Sequence, residues 1–112
     1  MVYRKGLDIV EKVYKISKKF PRIETFGLTI QLKRAVVSII LNIAEGSGCQ
    51  SKKEFMKFLG YALRSKHEVI ACLDIAKRLG YLDENDIKSL EMDLEELSSM
   101  IVGLTKSLRS KK

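Results

Sequence analysis

The chain has no tryptophan, one proline, one histidine and two cysteines in 112 residues. Each scarcity excludes something. One histidine, His67, cannot supply the two Glu-x-x-His motifs by which ferritin-like bundles hold a metal pair. Cys49 and Cys72 lie far apart with no CxxC spacing, so a zinc site lacks clustered ligands and a disulfide framework lacks partners. A reduced, cytoplasmic setting fits this cysteine usage best. There is no Walker A or dinucleotide fingerprint, and Gly46-Ser47-Gly48 is too short to specify a phosphate loop. The longest apolar window, Ala35–Ala44, is broken by Ser38 and Asn42 and falls short of the ~20 residues a bilayer needs. The opening MVYRKGLD has no apolar signal core. A serine beside a lysine or histidine base is too common by chance to argue for catalysis. The expectation is a non-enzymatic protein with no catalytic residue, metal, cofactor or membrane partner.

What is present is helix. The stretch Leu28–Gly46 is the richest. At 100° per residue, Gln31, Arg34, Ser38, Asn42 and Glu45 fall on one face. The apolar arc beside them covers about 240°, against ~100° for an ordinary surface helix. A chain this short can hardly cover so wide an arc itself, so the segment predicts self-association. The polar seam reads as a hydrogen-bonded ladder fixing helix register or subunit orientation, since buried polar groups need partners. Arg34 is expected to be one half of a buried charged pair.

Periodicity predicts four helices, about 7–19, 24–45, 51–80 and 83–109. Ile9, Val13, Ile16 and Phe20 form the inner stripe of the first, and Pro21 ends it. Gly46 is the expected left-handed cap of the second. A capping box at Ser51 and Glu54 opens the third, whose stripe is Phe55, Phe58, Ala62, Val69, Leu73 and Ala76. The fourth repeats Ile87, Leu90, Leu94, Leu97, Ile101, Leu104 and Leu108 at spacings of three and four. Phe20, Phe26, Phe55 and Phe58 all read as core. Short loops near 20–23, 47–50 and 81–82 predict a single all-α domain over residues 1–112, an antiparallel up-down-up-down four-helix bundle. The Lys-rich C-terminus is expected to fray.

The net charge of +7 favours an acidic partner. It is unevenly spread. Residues 1–23 and 47–80 each carry seven Lys/Arg, against two and three acids, while residues 81–104 carry one against seven. Two basic faces follow as nucleic-acid-binding candidates. The first helix offers Lys12, Lys15, Lys18, Lys19 and Arg22. The third offers Lys52, Lys53, Lys57, Arg64 and Arg78, with His67 on the same line. Either face alone would be solvated in any case; two on adjacent helices point to a basic surface able to follow a phosphate backbone. With the aromatics read as core, no base-stacking platform is expected.

The residues also resemble a family. Phe20-Pro21, Glu24, Phe26-Gly27-Leu28, Gln31-Leu32, Arg34-Ala35, Ser38-Ile39 and Asn42-Ile43-Ala44-Glu45-Gly46 are similar to the four-helix-bundle proteins encoded in intervening sequences of bacterial 23S ribosomal RNA genes. Ser51, Glu54-Phe55, Phe58-Leu59, Ala62, Ser65, Glu68 and Leu79-Gly80-Tyr81 continue the likeness. The resemblance implies a homo-oligomeric, pentameric ring. It also implies kinship with the accessory variability protein of diversity-generating retroelements, which works with a reverse transcriptase and nucleic acid. Two positions depart from the family's habit: Cys49 replaces an arginine after the glycines, and Arg64 replaces a glycine before Ser65. The expected function is backbone binding of RNA or an RNA/DNA hybrid. The rival expectation is a protein-interaction scaffold or accessory subunit, for example of a reverse transcriptase, acting through the acidic fourth helix.

Overall fold

A computed structural model describes residues 1–110. They form four α-helices and one short 3-10 turn, with no strand among the described residues: α1 (Val2–Ser17), the turn (Arg22–Glu24), α2 (Leu28–Ser47), α3 (Lys52–Arg78) and α4 (Glu84–Ser110). Lys111 and Lys112, where fraying was expected, lie outside the described residues.

The helices make a four-cornered bundle. α1 packs on α2, α2 on α3, α3 on α4 and α4 on α1, while the backbones of the diagonal pairs stay farther apart. The core is aliphatic. Ile9, Val13, Leu32, Ile39, Ile43, Leu59, Leu73, Leu90, Leu94, Leu97 and Ile101 are fully buried. Contacts fix which ends meet. Gly6 lies under Ile40, and Lys33 sits over the Tyr14 ring. Gly46 meets Phe55 and Phe58, and Ser38 bonds Ser65. Lys66 donates to Ser98, and Lys77 pairs with Glu84.

The ends differ in detail from the periodicity. α1 begins at Val2 rather than near residue 7, because the buried Gly6 extends the inner stripe by another turn. α2 begins at Leu28 rather than 24. Gly27 breaks the helix at φ −115°, ψ −110°, and Glu24, left outside, accepts the Leu28 N–H on Oε1 at 3.0 Å. Gly46 is helical, not left-handed. Its hydrogen is needed for close approach: a Cβ there would stand 2.9 Å from Phe55 Cδ1 and 3.0 Å from Phe58 Cβ.

The left-handed residue is Gly80, φ +81°. Gly80 N–H donates to Lys77 O and Tyr81 N–H to Ala76 O, the two bonds of a Schellman ending. At the start of α3, Ser51 Oγ accepts the Glu54 N–H at 3.0 Å. Asp83 and Asp86 cap α4 reciprocally, each accepting the other's backbone N–H.

One aromatic expected in the core is outside it. Phe20 is buried, and Phe55 and Phe58 are half-buried, but Phe26 is 89% exposed and its neighbour Ile23 86%. Phe26 precedes the Gly27 break, so it leaves the bundle before the inner stripe of α2 begins.

Candidate nucleic-acid interface

The two basic faces do not adjoin as expected, because α1 and α3 stand at opposite corners of the bundle, and they are built differently. On α1 and just beyond it, Lys5, Lys12 and Lys19 recur every seven residues. On α4, Asp86 and Asp93 do the same. Two packed helices with matched seven-residue charge rows bring them together along their seam. Lys5 Nζ reaches Asp93 at 3.0 Å and Glu96 at 2.9 Å. Lys12 pairs with Asp93 and donates to Ser89 Oγ at 3.0 Å. Lys19 pairs with Asp86. The grouping of Lys12, Lys15, Lys18, Lys19 and Arg22 therefore divides. Lys12 and Lys19 turn to α4, Lys15 stands 3.9 Å from Glu11, and Lys18 and Arg22 are exposed.

The electrostatics of this seam follow from its hydrogen bonds. Lys19 pushes the Asp86 carboxyl below the usual range, helped by the Asp83 N–H. Partial burial resists ionisation of Asp93, but Lys12 and Lys5 prevail and hold it low. In return, Glu96 and Asp93 raise Lys5, and Asp86 raises Lys19.

α3 places its cations on its outward line. Lys53, Lys57, Arg64, His67 and Arg78 are all exposed and fall within about 80° of one another around the axis. Exposed Gly60 and Ala71 share that line, so small side chains leave the charges standing clear. Among the described residues, none of Lys53, Lys57, Arg64 and Arg78 makes an ion pair; Arg64 lies over the Tyr61 ring at 5.3 Å. Lys52 opens the helix and is exposed. From Lys53 to Arg64 is about 16 Å, and from Arg64 to Arg78 about 21 Å.

The polar seam of α2 also divides. Ser38 and Asn42 are half-buried and linked: Asn42 Nδ2 donates to Ser38 O at 2.8 Å and to Ser38 Oγ at 3.1 Å. Ser38 Oγ shares a 2.8 Å bond with Ser65 Oγ of α3. Gln31, Arg34 and Glu45 are exposed, and Arg34 has no ion-pair partner among the described residues. The fold does not bury Arg34 in a charged pair within the chain, because its place on α2 lies outside the core-facing arc. Ser65 was missed in the seam. The seven-residue gap from Ala62 to Val69 in the α3 stripe was the available signal, since an inner residue must sit between them.

A second missed contact joins the two loops at one end of the bundle. Tyr81 OH donates to Glu24 Oε2 at 2.9 Å, and the Phe20 and Tyr81 rings lie 5.7 Å apart. The Leu28 N–H and then Tyr81 lower the Glu24 carboxyl, and Glu24 raises the Tyr81 phenol. Cys49 and Cys72 are free thiols. Burial, followed by nearby carboxylates, pushes both upward.

The wide apolar arc of α2 is only partly covered. Leu32, Ala35, Val36, Ile39, Ile40 and Ile43 are buried, Ile30 and Val37 are half-buried, and Leu41 is 61% exposed. Tyr14, Ile30, Lys33, Arg34, Val37 and Leu41 line a groove of 490 Å³ beside it. Among the described residues there is no cluster of three or more metal-ligating side chains, and no helix is long and apolar enough to cross a membrane.

The family model of the 23S rRNA-intervening sequence protein matches residues 1–103. The chain belongs to that family. No functionally curated protein matches it. Among solved structures, it is similar to a protein of unknown function from the S23 ribosomal protein family of Bacteroides thetaiotaomicron. The TM-score is 0.86 at 24% identity, covering 95% of this chain and 99% of that one; at that identity the likeness speaks for the fold alone. Within this intervening-sequence protein, the two unusual positions have clear places. Cys49 Sγ donates to Glu45 O at 3.3 Å at the end of α2. Arg64 stands outward on the α3 line rather than at a helix contact.

Proposed function

We propose that this protein is a non-enzymatic, cytoplasmic homo-oligomer that binds RNA, or an RNA/DNA hybrid, by its phosphate backbone. The observation that carries the reading is the α3 line: Lys53, Lys57, Arg64 and Arg78, outward and without ion pairs. Like charges one turn apart, as Lys53 and Lys57 are, cost a helix ~0.2–0.5 kcal/mol. No ion pair among the described residues offsets that cost, and a polyanion outside the bundle would. Family membership supports the setting, and the uncovered apolar side of α2 supports assembly. The end-to-end order of contacts supports an antiparallel, up-down-up-down path. The family resemblance supports a pentameric ring, in which the α3 line would repeat in every subunit and modest contacts would add through multivalency.

Fluorescence anisotropy with labelled random-sequence RNA tests the reading. Binding should weaken steeply with salt, with a log–log slope of about −0.7 per phosphate contact on single strands and about −0.9 on duplex DNA. Reversal of Lys53 and Lys57 to Glu should weaken binding far more than reversal of Lys111 and Lys112. Absence of binding at low salt would overturn it. Capture of one protein partner, such as a reverse transcriptase, without RNA affinity would favour the scaffold role instead.

A further inference from the structure

We infer that the outer faces of α2 and α4 are the two halves of one head-to-tail contact between copies of this chain. The inference rests on the self-association reading and gives it an interface.

The two faces match in charge. On α2, Arg34 and Glu45 are eleven residues apart, which returns a helix to nearly the same side. On α4, Glu95 and Lys106 are also eleven apart, with the signs reversed in the same order. All four are exposed, and none has an ion-pair partner among the described residues. The apolar residues match too. α2 exposes Leu41 by 61% next to half-buried Ile30 and Val37, and α4 exposes Met92 by 65% and Val102 by 42%.

The heights agree as well. Ser38 of α2 bonds Ser65 of α3, and the next residue, Lys66, bonds Ser98 of α4. Ser38 and Ser98 therefore stand level to within about one helical turn, 5.4 Å. Counting from them along helices that run the same way, Arg34 comes within one residue of the height of Glu95, Leu41 of Val102 and Glu45 of Lys106, a difference of about 1.5 Å. Rotation about an axis along the bundle preserves both height and helix direction. A neighbour generated that way brings its α4 to this α2 with each pair aligned. α2 and α4 occupy opposite corners of one copy. Each copy thus offers both halves at once, as a heterologous, ring-forming contact requires.

Sedimentation velocity of the full chain at ten-micromolar concentration tests this. The parent should sediment as a multiple of 12.8 kDa. The pair Arg34→Glu with Glu45→Lys should fall to single-chain mass, as should the pair Glu95→Lys with Lys106→Glu. Combining all four changes in one chain should restore the parent's mass. A second measurement is independent of charge. In a Cys49→Ser, Cys72→Ser background, Leu41→Cys mixed with Val102→Cys should give an oxidised covalent dimer that neither gives alone. An assembled parent whose double variants keep its mass, or whose fourfold variant stays monomeric without the mixed disulfide, overturns the α2–α4 contact and leaves self-association standing. A monomeric parent overturns both.

Discussion

Residues 1–23 and 47–80 hold the same number of cationic side chains, seven each. On α1 and its C-terminal end they recur with the heptad that matches α4, so Lys5, Lys12 and Lys19 lie along the helix seam against Asp93, Glu96 and Asp86. On α3, Lys66 and Lys77 also reach α4, but Lys53, Lys57, Arg64 and Arg78 recur on the line farthest from the core, beside exposed Gly60 and Ala71. The same composition holds helices together in one place and leaves a charged surface in the other. Phase relative to the apolar stripe, rather than charge count, separates the two roles.

The strongest way to break this comparison is to neutralise each face alike. Lys53→Gln with Lys57→Gln should lower RNA affinity about ten-fold at low salt, since two contacts per subunit are lost. Its melting temperature should hold or rise slightly as like-charge repulsion is relieved. Lys12→Gln with Lys19→Gln should leave affinity within about two-fold while lowering the melting temperature. Anisotropy titration and thermal circular dichroism read both. An equal loss of affinity from the two pairs would erase the distinction.

The buried glycines sharpen the comparison at the packing level. Gly46→Ala drives a methyl against the Phe55 and Phe58 side chains and the Phe55 carbonyl, so it should destabilise by ~1–3 kcal/mol in urea melts. Gly6→Ala meets only the far end of the Ile40 side chain, which can rotate away. Its cost should be offset by the ~0.5–1 kcal/mol that alanine gains over glycine in a helix. The α2–α3 contact is the rigid one.

A smaller effect is expected at the polar link. Ser65→Ala removes the α3 partner of Ser38, which keeps its bond from Asn42. With one partner retained, the loss should be ~0.5–1.5 kcal/mol, and Asn42→Leu should keep helix content while broadening assembly sizes on a column.

The smallest effect is the pH response of the α1–α4 seam. Asp86 and Asp93 titrate below their ordinary 3.8 in the folded chain. Their contribution is therefore present above that value and is lost as pH falls through the lower folded values. Lys5 and Lys19 titrate above 10.5, so theirs is full below 10.5 and is lost as pH rises past it. Melting curves should be flat across neutral pH and fall at both extremes. The Lys12→Gln, Lys19→Gln variant should show a shallower acid limb than the parent.

Much of the fold was legible because the apolar spacing in α4 and α2 is regular and the loops are short. Helix ends were less so. Gly46 and Gly80 are the same residue type near helix ends, and only the neighbours decide between close approach and a left-handed turn. Phe26 was misplaced because hydrophobicity says nothing about which side of a chain break a residue falls on. The division of the α1 lysines was written in the matching sevens of Lys5, Lys12, Lys19 and Asp86, Asp93. Reading it required knowing that those two helices are neighbours, which is a fact of topology rather than of local pattern.

The α1–α4 ion pairs also set how the molecule meets a charged object. Within a single chain they cancel charge along one seam and leave the surplus on two neighbouring corners: positive outward on α3, negative on α4, where Glu91 and Glu95 have no ion pair among the described residues of the chain. Such a body has a dipole moment across its long axis. Near a polyanion it feels a torque as well as an attraction, turning α3 inward and α4 away. At physiological salt the field survives only ~8 Å, so that rotation happens in the last few ångströms, as the two surfaces close.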